Sequence, residues 1–191
     1  PFSIQNLREV RAIADKYNIR LVLDASLLGE NAYLIHLREE EFKNYSLGEI
    51  IKTMTDLADI VYFSARKLSS SRGGGICTNE HEIYRELEPL IPLYEGFLTY
   101  GGISVREIEA MAVGLYETLD ETMIRQSPDF IAYLVKSLDA HGVSMVKPAG
   151  VLGAHINAME VCKHIPQNEY PAGALAAALF LVSGIRGMER G

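Results

Sequence analysis

The chain has 191 residues, of which 48% are hydrophobic, and its formal net charge at pH 7 is −7. This composition supports a sizeable folded core and argues against a disordered chain, and the negative charge argues against nucleic acid or an anionic membrane as the main partner. The two cysteines lie far apart, the histidines have no metal-like spacing, and no apolar run is long enough to span a membrane. We therefore expect no disulfide framework, no metal site and a cytoplasmic location.

The first half of the chain alternates helical and strand patterns, which is typical of an α/β fold with a parallel sheet. Ser3 is placed to cap a first helix, and residues 19–23 form a strand that ends on Asp24. Ser46 is placed to cap another helix, and a second strand follows at residues 59–63. An acidic residue at the carboxyl end of a parallel strand points into the ligand crevice, although capping of the next turn is an alternative role for Asp24.

The stretch after the second strand carries the strongest functional signal. The apolar run gives way to Ser64, Arg66 and Lys67, and then to three glycines at 73–75. A partly desolvated lysine at a strand end can attack a carbonyl, and the hydroxyl, guanidinium and glycine-rich backbone can bind a phosphate. A lysine beside a phosphate site is typical of pyridoxal 5′-phosphate (PLP) attachment, although an exposed polar loop fits these residues equally well. Because successive parallel strands end at one edge of the sheet, Asp24 and Lys67 should lie at the same edge.

The remainder of the chain has helical patterns up to about residue 140 and short strand patterns from Val143. A glycine-rich, aromatic loop is expected at residues 94–102. We expect helices that begin at Asn79, at Ser104 or Val105 and at Pro171, and short strands at 143–146, at 153–157 and near Gly184. This pattern predicts a boundary near residue 125, with 1–125 in a large domain and 126–191 forming a connecting helix and the start of a smaller α+β domain.

Four stretches, in this order and spacing, resemble the β-eliminating lyases, the family of tyrosine phenol-lyase and tryptophanase. They are LVLDAS with ENAY (21–33), SARK with its three glycines (64–75), YEGFLTYGG with REIEAMAVGLYE (94–117), and HIPQNEYPAGALAA with GIRGMERG (164–191). The resemblance covers essentially the whole chain. It implies the aspartate aminotransferase-like fold of PLP enzymes, in which a mostly parallel sheet has helices on both faces. It also implies that the chain is the central piece of a longer protein.

The resemblance implies roles for individual residues. Lys67 matches the lysine that forms a Schiff base with PLP and later moves the α-proton, and Asp24 matches the aspartate that keeps the pyridine nitrogen protonated. Ser64 matches a serine near the cofactor phosphate, and Arg66 replaces a second lysine beside the Schiff-base lysine. The substrate pocket is expected to include Phe97, Tyr100 and Met188.

Some residues depart from the family pattern. Leu27 stands where an arginine near the cofactor is common, and Leu152 stands where a histidine is expected. Leu98 replaces a proline, and Arg72 with its neighbouring serines replaces the usual residues after the lysine. These changes leave the cofactor attachment intact and leave the substrate open.

We therefore expect a PLP-dependent lyase that cleaves a carbon–carbon bond of an L-amino acid by α,β-elimination and releases pyruvate and ammonia. The family implies a homotetramer, and a monovalent cation, K⁺, is left open as a second cofactor. One alternative keeps the cofactor and changes the reaction to an aldolase-like, β-replacing or transaminating one. Another is a non-catalytic paralogue, against which the presence of both Lys67 and Asp24 speaks.

Overall fold

The computed structural model of the chain describes residues 1–189 and divides them into two compact units. The first unit is Pro1–Gln126, and the second begins at Ser127. Their division lies next to the boundary expected near residue 125. The assignment of the units to the cofactor-binding large domain and the small C-terminal domain stays a prediction.

The first unit alternates helices and strands. Its strands are β1 Val22–Asp24, β2 Ile60–Ser64 and β3 Gly74–Cys77. Its helices are α1 Ile4–Lys16, α2 Leu28–Arg38, α3 Leu47–Asp56, α4 Ala65–Leu68, α5 His81–Leu87, α6 Leu90–Tyr94, α7 Val105–Glu117 and α8 Glu121–Ile124, with a 3₁₀ turn at Glu40–Phe42.

Several helices begin where the local sequence predicts. The Ser3 hydroxyl accepts a hydrogen bond from a backbone N–H in the first turn of α1. Ser46 with Glu49, and Ser104 with Glu107, form reciprocal capping boxes at the starts of α3 and α7. The predicted caps at Ser3 and Ser46 are confirmed, and so is the helix start at Ser104 or Val105, because each depends on residues only three positions apart.

Helix α5 does not begin as expected. A start at Asn79 is wrong, since α5 begins at His81 and its N-cap residue, Glu80, makes no capping hydrogen bond through its side chain. The short helix α6, which contains Pro92, follows α5. The loop expected at residues 94–102 is present after α6.

The sheet has the order β1-β2-β3, with β1 parallel to β2 and β2 antiparallel to β3. In its register Asp24 pairs with Tyr62, and Tyr62 pairs with Ile76. Strand β1 is shorter than the expected 19–23 segment. The Leu21 N–H donates to the Asp59 carboxylate at 2.6 Å instead of extending the ladder. Helices that alternate with the strands of a partly parallel sheet confirm the predicted α/β class.

The hydrophobic core lies between the sheet and helices α1 to α3. Its buried members are Ile4, Leu7, Leu23, Ala25, Leu28, Ala32, Tyr33, Ile35, Phe42, Leu47, Ile50 and Met54. Val61 and Phe63 of β2 pack against this core, so the alternate residues of the strands point the other way. On that opposite face Val22, Tyr62 and Ile76 are 50%, 42% and 52% exposed. Helices on that face stay a prediction.

The second unit has a smaller core around α9. Its helices are α9 Gln126–Ala140, α10 Ala158–Val161 and α11 Pro171–Ser183, with a 3₁₀ turn at Gln167–Glu169. Ile131, Val135 and Met145 form the buried cluster. The strands expected at 143–146 and 153–157 are reduced to a single antiparallel bridge between Met145 and Ile156. Helix α11 is confirmed, whereas no strand follows Gly184 within the described residues. Across residues 1–189, no helix has the length and apolarity needed to cross a bilayer.

Candidate functional site

The carboxyl ends of the two parallel strands bring the predicted residues together. Asp24 is the last residue of β1, and Ser64 is the last residue of β2. Helix α4 starts immediately after Ser64 and carries Lys67 with an exposed side chain. The positive charge of Lys67 is close enough to contribute to the lowered pKa of Asp24. An amine and a carboxylate therefore lie at the same edge of the sheet, although their catalytic roles stay predictions.

The Asp24 carboxylate is surrounded by hydrogen-bond donors. The Ser26 N–H donates to Asp24 Oδ1 at 3.0 Å, and the hydroxyls of Ser26 and Tyr62 lie close enough to the carboxylate to stabilise its ionised form. These bonds, led by the one from the Ser26 hydroxyl, hold the pKa of Asp24 below its usual range. Asp24 is therefore ionised at neutral pH and can pair with a cation.

Ser26 also joins Asp24 to the second strand. Its oxygen accepts a hydrogen bond from the Ser64 N–H at 3.2 Å, and its side chain is buried. Sequence reasoning missed Ser26, for which the available signal was its position two residues after an aspartate, a common local hydrogen-bonding pattern. It also missed Tyr62, whose nearness to Asp24 depends on strand register and has no local signal.

Helix α7 packs against the short helix α4 and the turn that follows it. The Thr118 hydroxyl, at the carboxyl end of α7, donates to the Leu68 carbonyl at 2.7 Å. Gly114 of α7 leaves no room for a side chain, because a Cβ there would lie 2.1 Å from the Ser69 carbonyl oxygen. This close contact fixes the turn that carries Lys67.

The remaining predicted residues lie on α4 and in two later parts of the chain. Arg66 is exposed on α4. Phe97 and Tyr100 stack on each other in the loop after α6, with ring centroids 5.1 Å apart, and both are exposed. Met188 belongs to the second unit, where it is 80% exposed. Their roles stay predictions.

The departures from the family pattern also have defined places. Leu27 is the N-cap residue of α2 and gives that helix no side-chain cap. Leu152 is 61% exposed in the second unit. Arg72 forms an ion pair with Glu107 of α7 at 3.7 Å. In the part of the chain that the structure describes, no group of three or more His, Cys, Asp or Glu residues is arranged to hold a metal.

The donor set at the strand ends fits PLP. An ionised carboxylate suits a basic ring nitrogen, and an accessible primary amine suits an aldehyde. The Ser64 side chain is half-buried at the end of β2, two residues before the cationic residue Arg66, where a phosphate would be favoured. Asp24, Lys67, Ser64 and Arg66 are thus the residues that would hold the cofactor.

The chain matches known proteins over its whole length. The sequence model of the β-eliminating lyase family matches residues 1–190. Tyrosine phenol-lyase of Pasteurella multocida strain Pm70 is 38% identical over 192 aligned residues, which cover 100% of this chain and 42% of that protein. Tryptophanase of Salinibacter ruber is 40% identical, with 100% of this chain and 41% of that protein covered.

A crystal structure from Exiguobacterium sp. 255-15, described as an aromatic amino acid β-eliminating lyase/threonine aldolase, shares the fold. Its TM-score is 0.57 at 20% identity, covering 91% of this chain and 46% of that chain. The chain spans about two fifths of the length of these curated relatives. The family match and the strand-end geometry agree, and the chain belongs to the β-eliminating lyase family.

Proposed function

We propose that the full-length protein is a PLP-dependent carbon–carbon lyase that acts on an L-amino acid by α,β-elimination and releases pyruvate and ammonia. The observation that carries this proposal is that Asp24 ends β1 and Lys67 lies on α4, directly after the adjacent parallel strand β2, with Lys67 helping to keep Asp24 ionised. Membership of the β-eliminating lyase family and the names of the relatives support it.

Each residue would contribute one physical effect. The Asp24 carboxylate would accept a hydrogen bond from the protonated ring nitrogen and stabilise its charge. Lys67 Nζ would attach to the carbonyl carbon of the cofactor and, once displaced by the substrate amine, would take the proton from the substrate Cα. Ser64 and Arg66 would hold the phosphate. When bound, PLP supplies an electron-withdrawing ring that stabilises the carbanion left at Cα.

Cofactor attachment can be tested in the full-length protein. We expect PLP to give a visible absorption band, and borohydride reduction followed by peptide mapping to place the label on Lys67. The Lys67→Ala variant should take up no covalent label, whereas Lys52→Ala, which removes an exposed amine that pairs with Asp56, should be labelled normally. A label on another lysine, or no label at all, would refute the proposal.

The role of Asp24 needs its own variant. Asp24→Ala should abolish turnover while the protein stays folded, because the exposed carboxylate contributes little to the core but stabilises the ring nitrogen. Asp56→Ala, which removes an exposed carboxylate on α3, is the matched control and should keep full activity. Full activity in Asp24→Ala would contradict the proposed role.

Leu27 favours one alternative reaction within the same fold. It places an apolar side chain at the N-cap of α2, three residues after Asp24, the last residue of β1, where the family pattern has a cation. An aldolase-like reaction would release glycine and an aldehyde, whereas β-elimination would release pyruvate and ammonia. Product analysis with amino acids that carry good β-leaving groups separates these reactions from β-replacement and transamination, and the absence of any product would indicate a non-catalytic paralogue.

The proposal includes assembly into a homotetramer. The exposed, stacked pair Phe97 and Tyr100 supports it, since exposed aromatic side chains are enriched at subunit interfaces. Sedimentation of the full-length protein should give the mass of four subunits, and Phe97→Ala should weaken the assembly. Activity measured in K⁺ and in a larger organic cation would show whether a monovalent cation is required.

A further inference from the structure

Tyr62 lies directly beside Asp24 on the exposed face of the sheet. The two residues are register partners in the parallel pair of β1 and β2. The Ala25 N–H donates to the Tyr62 carbonyl at 2.8 Å, which continues the ladder one residue past Asp24 and fixes this register. Adjacent strands are about 4.8 Å apart, so side chains at one register position can touch. At this position the Tyr62 phenol is close enough to the Asp24 carboxylate to interact with it as a hydrogen-bond donor.

The direction of this hydrogen bond is set by charge. An ionised carboxylate only accepts hydrogen bonds, so the phenol donates. The bond raises the pKa of Tyr62, because the carboxylate favours the protonated phenol, and the phenol stays a donor at neutral pH. Tyr62 is 42% exposed and lies outside the main core, so packing alone does not explain an aromatic residue there.

Asp24 is therefore held from two sides. Ser26 contacts it from the turn after β1 through its backbone N–H and its hydroxyl, and Tyr62 contacts it from the neighbouring strand β2. Donors on two different segments, the turn after β1 and the strand β2, restrict rotation of the carboxylate about its side-chain bonds. Without the phenol, the bonds from Ser26, which is only two residues away, would remain.

We propose that Tyr62 is a positioning residue whose phenol holds the Asp24 carboxylate in the orientation in which it meets the ring nitrogen of PLP. The inference rests on the proposed function and deepens it, since it names the group that prepares Asp24 for the cofactor. Tyr62 acts through Asp24 and does not itself take part in bond making.

The test compares PLP with an analogue in which carbon replaces the ring nitrogen. In the full-length protein, Tyr62→Phe should weaken PLP binding about two- to tenfold, because the freed carboxylate must be ordered on binding. The affinity for the analogue should not change, because its ring offers Asp24 no N–H. Tyr84→Phe is the matched control, since Tyr84 donates to the Glu88 carboxylate at 3.4 Å on the surface of α5. It should bind both cofactors as the wild type does.

Two results would overturn the inference while the wild type still carries PLP on Lys67. One is unchanged PLP binding in Tyr62→Phe, and the other is an equal loss for PLP and the analogue, which would mean that Tyr62 only shapes the pocket. Thermal unfolding of the apoproteins confirms folding, and loss of the hydroxyl leaves the aromatic ring in place. A wild type that does not take up PLP on Lys67 would refute the proposed function itself, and the inference with it.

Discussion

The contact between Gly114 and the turn after Lys67 provides the sharpest test of how the lysine is held. In Gly114→Ala the new Cβ would lie 2.1 Å from the Ser69 carbonyl oxygen and 2.8 Å from Ser69 Cβ. Real Cβ atoms essentially never approach other heavy atoms within 3.0 Å, so the oxygen and the helix must separate by about 1 Å. The obstacle is backbone, so no side-chain rotation relieves it.

Ser69 cannot yield without moving α4. It is buried, its N–H donates to the Ala65 carbonyl at 2.9 Å, and its hydroxyl donates to the same oxygen at 3.0 Å. Overpacking at such a site costs about 1–3 kcal/mol, and the better helix propensity of alanine returns about 0.5–1 kcal/mol. We expect a net loss of about 1–2 kcal/mol in the free energy of unfolding. PLP binding should weaken too, because Lys67 lies two residues before Ser69.

Urea denaturation of the full-length protein and PLP titration measure these two effects. Gly48→Ala is the matched control, because a Cβ at Gly48 would meet only Leu119 Cδ2, at an ordinary 3.8 Å. That variant should keep its PLP affinity and lose no stability. Equal stability and equal PLP affinity in Gly114→Ala and Gly48→Ala would show that α7 does not hold the lysine-bearing turn.

Two further predictions concern stability. Thr118→Val should lower the free energy of unfolding by about 1–2 kcal/mol in the same urea experiment, since the Leu68 carbonyl loses the buried Thr118 hydroxyl that donates to it at 2.7 Å. No loss would mean that water replaces the donor. Asp59→Asn should lower the free energy of unfolding by about 1–2 kcal/mol at neutral pH, because Arg11 donates to the Asp59 carboxylate at 2.7 Å. The control Asp56→Asn, which changes an exposed carboxylate, should lower it by almost nothing. The Arg11 hydrogen bond lowers the pKa of Asp59, so this stabilisation is complete above the unfolded-state pKa of about 3.9 and is lost as the pH falls through the lower folded-state pKa. The stability difference between wild type and Asp59→Asn should therefore be constant from neutral pH to about pH 5 and shrink below about pH 4, and a pH-independent difference would contradict this reasoning.

The sequence by itself determined the features that depend on neighbours along the chain. The caps at Ser3, Ser46 and Ser104 are fixed by residues within one helical turn, and the structure contains each of them. The order of helix, strand and acid, then strand and lysine, predicted that Asp24 and Lys67 reach the same edge of the sheet. Alternation of strands with helical crossovers leaves few other arrangements, so this placement needed no structure.

Only the tertiary structure decided which residues surround Asp24. Tyr62 is 38 positions away along the chain and becomes its neighbour through strand register, which local patterns do not encode. The same reason explains the expectations that were wrong. Strand length depends on pairing partners, so the segment at 143–146 shrank to one bridge at Met145, and a turn signal at Asn79 did not become a cap. Local hydrogen bonds can be read from the sequence because their partners are close in the chain, whereas partners brought together by folding are known only once the fold is known.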